Sequence, residues 1–154
     1  MNSLEERIQR IEDERAIQQT MYRYGSAIDY GSEDDWMNCW AEDAVLHWSK
    51  PPTRGHEQLR AAFHAHTHAP KVFHKHFVVN AQISVTGDTA TGESLFARLD
   101  SYPDGPQVLA IGRYLDTFVR CEDGCWRFSE RIAEVESMRA PPEAVLQAMS
   151  SING

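Results

Sequence analysis

Four stretches decide the fold: FHKHFVVNAQISV at residues 73–85, TATGESLFARLD at 89–100, QVLAIGRYLDTFVR at 107–120 and CWRFSERIAEVE at 125–136. All four carry β-branched and aromatic residues, and only turn chemistry lies between them: Gly87-Asp88, then Pro103-Asp104-Gly105-Pro106, then Asp123-Gly124. Four strands in series joined by tight turns form an antiparallel meander. In the first, strict alternation puts Phe77, Val79, Ala81, Ile83 and Val85 on one face. His74, His76, Val78, Asn80, Gln82 and Ser84 take the other, which suits solvent or the wall of a polar pocket.

Upstream, the period changes. Leu4, Ile8, Ile11, Ile17, Met21, Tyr24 and Ile28 recur at helical spacing, broken at Arg15, which predicts a helix over about 3–29 whose Ile8–Ile28 face packs on the sheet. Gly31-Ser32 interrupts it, and Ser32 with Asp35 resembles a capping box for a short helix carrying Trp36, Cys39 and Trp40. Ala44 to Trp48 reads as a strand. Gly55 leads into a third helix bearing Leu59, Ala62, Phe63 and His66, which Pro70 closes. Pro141-Pro142 stops the last strand ahead of a tail at 143–154, with a small helix or oligomer contact over 143–150. Helices first and a curved antiparallel sheet after them give an α+β fold in one domain, 1–154.

Composition narrows the partners. The chain has 154 residues, 42% hydrophobic and 25% charged, with a net charge of −8, and its isoelectric point is about 5.3. A negative field repels phosphate backbones and anionic lipid, so neither nucleic acid nor a membrane is expected as partner. No apolar run approaches the roughly 20 residues of a membrane helix, and Met1–Arg10 lacks the apolar core of a signal peptide. A cytoplasmic protein is expected. Three cysteines, Cys39, Cys121 and Cys125, agree with free thiols in a reducing compartment, although the last two could face each other across a hairpin.

Five of seven histidines fall between residues 64 and 76: His64, His66, His68, His74 and His76. A metal site is one reading of that cluster, but Phe63 to Gln82 contains no acid to support the ligands, so no metal is expected. Asp29, at the end of the first helix beside the buried-side residues Ala27 and Ile28, is either a surface group or a buried acid that needs a partner. Gly25 allows close backbone approach there. Were Asp29 to meet His76, it would fix the imidazole tautomer and raise its basicity, making a general base. Arg98 sits mid-strand among apolar residues, facing either solvent or an oxyanion. No P-loop, dinucleotide fingerprint, GxSxG or HExxH is present.

Nearly the whole chain resembles the SnoaL-like branch of the nuclear transport factor 2-like superfamily. The resemblance is carried by Ile17 with YRYGSAID at 22–29, WAEDAV at 40–45, GHEQL at 55–59, HFVVN at 76–80 and DGCWRF at 123–128. It implies a cone-shaped α+β barrel in which a curved antiparallel sheet wraps the long N-terminal helix and leaves an apolar pocket at its open end. The family's eliminating enzymes resemble scytalone dehydratase, bile-acid dehydratase and hexachlorocyclohexane dehydrochlorinase; it also holds polyketide cyclases. The resemblance implies an Asp–His pair at Asp29 and His76, with Tyr24 as a third catalytic residue. Substrate-binding candidates are Asn80, Arg98, Trp40, Trp48, Phe63 and His74. The implied activity is that of a cofactor-independent lyase or isomerase acting on a small hydrophobic, oxygenated ring compound, in a homo-oligomer (dimer or trimer). The alternative is a non-catalytic binding or assembly module similar to the small subunits of ring-hydroxylating dioxygenases.

Overall fold

A computed structural model describes residues 3–152. Helix α1 spans Leu4–Tyr30. Ser3 caps its start, its hydroxyl accepting from the Glu6 amide while the Glu6 carboxylate accepts from the Ser3 amide. Gly31 ends it in the left-handed conformation (φ 74°) and donates its amide to Ala27. Then follow α2 (Glu33–Met37), β1 (Trp40–His47), β2 (Thr53–Arg54) and α3 (Gly55–Ala65). The meander is β3 (His74–Thr86), β4 (Thr89–Tyr102), β5 (Gly105–Arg120) and β6 (Trp126–Met138), and α4 (Glu143–Ile152) comes last.

The six strands form one sheet in the order β2-β1-β6-β5-β4-β3. Every pairing is antiparallel except β1 with β6, which is parallel, so the sheet is mixed where an antiparallel one was expected. The connection from β1 to β6 runs through α3 and the whole meander, and a parallel neighbour requires such a long return. The sheet curves around α1, and the core fills the space between them: Ile17, Met21, Tyr24 and Ile28 meet Phe96, Tyr114, Phe118 and Phe128.

Three expectations change. The packed face of α1 begins near Asp13 and Ile17, because the first turns reach past the sheet and leave Leu4, Ile8 and Ile11 in solvent. Ser32 occupies the N-cap of α2 without a side-chain capping bond; its hydroxyl donates to the Asp35 carboxylate at 2.8 Å, and Trp40 begins β1 instead of riding on the helix.

The third change moves a whole face. Asn80 adopts φ 55°, and the β3–β4 register slips between Val79 and Gln82. A bulge inserts one residue and so exchanges the faces beyond it. His74, His76 and Val78 therefore share the inner face with Ala81, Ile83 and Val85, whereas Phe77 and Val79 point outward with Gln82 and Ser84. Asn tolerates the left-handed region better than other residues with a Cβ. Asn80→Val is expected to lower stability by about 1–2 kcal/mol, and Asn80→Gly to be near neutral, as read by urea unfolding. Equal midpoints for the two variants would refute a left-handed residue there.

Candidate active site

Helix α1 and strand β3 approach closely at Gly25. A Cβ placed there would stand 3.0 Å from the His76 carbonyl oxygen, so the glycine is what lets the helix lie against the strand. One turn further on, the Asp29 side chain, 3% exposed, enters the strand's inner face. Its Oδ2 accepts from the His76 amide at 2.9 Å and its Oδ1 lies 2.6 Å from His76 Nδ1. The same Oδ1 lies 2.7 Å from Nδ1 of His74, a side chain with no exposed surface. Burial pushes the Asp29 carboxyl up, but the bonds from His74 and His76 outweigh it and hold the group well below the usual carboxylate range. It is a carboxylate.

An ionised carboxylate only accepts, so His76 Nδ1 carries a proton and Nε2 keeps its lone pair. His76 lines a cavity of about 480 Å³ together with Tyr24, Trp48, His66, Arg98 and Tyr114. Burial lowers the His76 pKa below 6.5 even though Asp29 works the other way, so the ring is neutral near pH 7. His66 follows the same logic. Its Nδ1 lies 2.7 Å from the Thr67 carbonyl, and its ring stacks on Trp48 at 5.8 Å between centroids. Burial, with Arg98 and His76 nearby, holds His66 well below 6.5. The cavity thus presents two neutral imidazoles in an apolar, aromatic wall.

Arg98 stands opposite His76 in the register and reaches the cavity. Asp100 accepts from its Nε and Nη2 at 2.8 and 2.9 Å, which holds the guanidinium in place and balances its charge. Tyr24 also reaches the cavity, and burial raises its pKa, so it is a phenol able to donate. His68 ties the ends of α1 and α3 together, its ring nitrogens 2.6 Å and 2.9 Å from the carbonyls of Ile28 and Phe63.

The cavity wall therefore includes Asp29's partner His76, together with Tyr24, Trp48 and Arg98. Four other candidates lie elsewhere. Asn80 is exposed at the bulge, so its side chain cannot follow His76 inward. Trp40 packs in the core between Tyr24 and Phe128, and Phe63 packs between Trp36 and His68. His74 lies beneath the cavity wall, behind Asp29. His66 was missed as a site residue, although it belongs to the histidine cluster; α3 ends at Ala65, ahead of the expected stop at Pro70, and His66 follows as its C-cap.

Asp29, His74 and His76 set donor atoms within 4.8 Å of one another, a spacing that a metal could use. At 2.7 and 2.6 Å from Asp29 Oδ1, the Nδ1 atoms of His74 and His76 also pair with it as hydrogen-bond partners. The three cysteines are free thiols. Among the described residues, no helix is long and apolar enough to cross a membrane.

The family profile described as SnoaL-like domain matches residues 9–132. The sequence has no significant match among curated proteins. Among solved structures, a Mycobacterium tuberculosis protein of unknown function is 25% identical over 89% of this chain and 91% of its own, with a TM-score of 0.74. An NTF2-like protein with a cystatin-like fold from Novosphingobium aromaticivorans is 23% identical, covering 96% and 99%, with a TM-score of 0.76. A protein from the same organism, provisionally assigned as a scytalone dehydratase, is 19% identical, covering 86% and 93%, with a TM-score of 0.69. At these identities the last two speak for the fold alone: a cone-shaped α+β barrel, as the sheet curving around α1 already indicates.

Proposed function

We propose, for a chain that belongs to the SnoaL-like domain family, a cofactor-independent lyase or isomerase acting on a small hydrophobic, oxygenated ring compound. One observation carries this. Asp29 holds His76 at two points, the ring Nδ1 and the backbone amide, which leaves Nε2 as the free base in a cavity with aromatic walls. In the first step Nε2 takes a proton from a carbon made acidic by a neighbouring carbonyl or leaving group. The imidazolium that forms is stabilised by the Asp29 carboxylate. Negative charge then develops on the substrate oxygen or leaving group, within reach of donors from the cavity wall: the Tyr24 hydroxyl and the Arg98 guanidinium. Trp48, Phe96 and Tyr114 supply flat walls suited to a ring.

The test is a panel of cyclic ketones bearing a β-hydroxyl or β-halide, with loss of water or halide followed by mass spectrometry. Turnover should fall on the acid side as His76 protonates, with its midpoint below pH 6.5 because burial lowers that group. A midpoint above that value would remove His76 from the role. Binding without turnover across the panel would favour the non-catalytic module.

Assembly follows from the outer sheet face. The Asn80 bulge turns Phe77 and Val79 outward, 49% and 50% exposed, and the register sets Val79 beside Leu95, with Ile111 one strand further on. A monomer would leave this patch in water. The chain is expected to form a homo-oligomer, dimer or trimer, and light scattering at micromolar concentration should give a multiple of 17.5 kDa. The monomer mass would contradict it.

A further inference from the structure

We propose that His74 is a buried imidazolium paired with the Asp29 carboxylate, and that its charge sets the basicity of His76. The argument is one of donors and acceptors. His74 Nδ1 lies 2.7 Å from Asp29 Oδ1, and Nε2 lies 2.7 Å from the Thr67 carbonyl oxygen. Neither oxygen can donate. A neutral ring would set its lone pair against one of them at hydrogen-bond distance, within a site that excludes water. The Thr67 hydroxyl is the one donor near Nε2, and at 3.3 Å it is farther away than the carbonyl. Protonation at both nitrogens satisfies every contact.

The surroundings support a cation. From α1 comes Asp29, whose carboxylate accepts from both histidine rings and from the His76 amide. From the segment after α3 come Thr67 and the neutral His66, whose ring meets His74 edge-on at 5.1 Å. From β4 comes Asp100, opposite His74 in the register, its charge already balanced by Arg98. Along β3 itself the neighbour is His76. His74 and Asp29 therefore cancel within the protein, and His76 is backed by an ion pair instead of a bare carboxylate. A cation that close keeps His76 less basic than Asp29 alone would make it, so the free base persists at lower pH. His74 touches no substrate; it is a positioning residue, and that role rests on the proposed function, whereas its protonation state does not.

The test is ring-nitrogen nuclear magnetic resonance on the full ¹⁵N-labelled chain near pH 7. His74 should report both nitrogens protonated, while His76 carries its proton on Nδ1 alone. In His74→Gln, which keeps a neutral donor, the His76 titration should move to higher pH by about 1. These readouts need no substrate, so the absence of turnover would count against the enzyme and leave the ion pair standing. An unprotonated Nε2 on His74 in the unaltered chain would overturn the proposal without any variant. An unmoved His76 titration in folded His74→Gln would overturn the positioning role.

Discussion

His76→Ala is expected to remove nearly all turnover, by roughly 10²–10⁴-fold, which is ~3–5 kcal/mol in the barrier. Nothing else in the cavity can replace it: His66 is the other free imidazole, but its Nδ1 meets a carbonyl and not a carboxylate, so the imidazolium it would form has no anion behind it. Asp29→Asn should cost a comparable factor. The amide has one accepting oxygen where the carboxylate has two, and Asp29 receives three bonds, from His74 Nδ1, His76 Nδ1 and the His76 amide. Whichever way the amide turns, its NH2 faces a donor. That conflict lowers stability by about 1–3 kcal/mol, so rates must be compared at a temperature where circular dichroism shows both variants folded. Because the two residues act as a unit, the double variant should be little slower than His76→Ala alone. Near-native turnover by folded His76→Ala would end the mechanism.

The period of the hydrophobic residues made most of this fold legible. Twenty-seven residues of α1 and the four long strands carry patterns that only a helix and a meander satisfy. The meeting of Asp29 with His76 was open in the residues themselves, because a carboxylate at a helix end can equally face water; the close approach at Gly25 is what decides it. The Asn80 bulge was hidden, since one residue in the left-handed region leaves the hydrophobic pattern looking continuous from Phe77 to Val85. Its signature is local: Val78 and Val79 are adjacent valines on opposite faces, followed by an Asn. Aromatic residues were over-assigned to the pocket because a ring looks the same in sequence whether it fills core, as Trp40 and Phe63 do, or lines a cavity, as Trp48 does. Arg131 passed unnoticed for a related reason. A register slip near Thr117 and Phe118 changes which residues of β6 face inward, turning a charge that alternation cannot place into the centre of the core.

That buried charge carries the largest expected effect on stability. Asp116 accepts from Arg131 Nε and Nη2, both at 2.8 Å, and neither side chain has any exposed surface. The guanidinium lies 4.4, 3.9 and 4.2 Å from the ring centres of Tyr24, Tyr114 and Phe128, so aromatic faces take the place of water around it. Among the described residues Nη1 has no hydrogen-bond partner, which makes the ion pair the main compensation for burying this charge. Removing one member strands the other. Asp116→Asn and Arg131→Met are each expected to lose about 3–5 kcal/mol, a large share of the ~5–15 kcal/mol that holds a domain together. For a chain of this size the melting temperature should fall by about 6–20 °C. The double variant Asp116→Leu with Arg131→Met should recover much of that loss, because apolar groups of similar volume owe no desolvation. Tyr24 and Tyr114 would still lose the cation they pack against, and both line the cavity, so ligand binding should weaken in the double variant even where stability returns. Thermal unfolding decides the first part: a fall of less than about 2 °C in Arg131→Met would mean that the aromatic box, and not the ion pair, holds this part of the core.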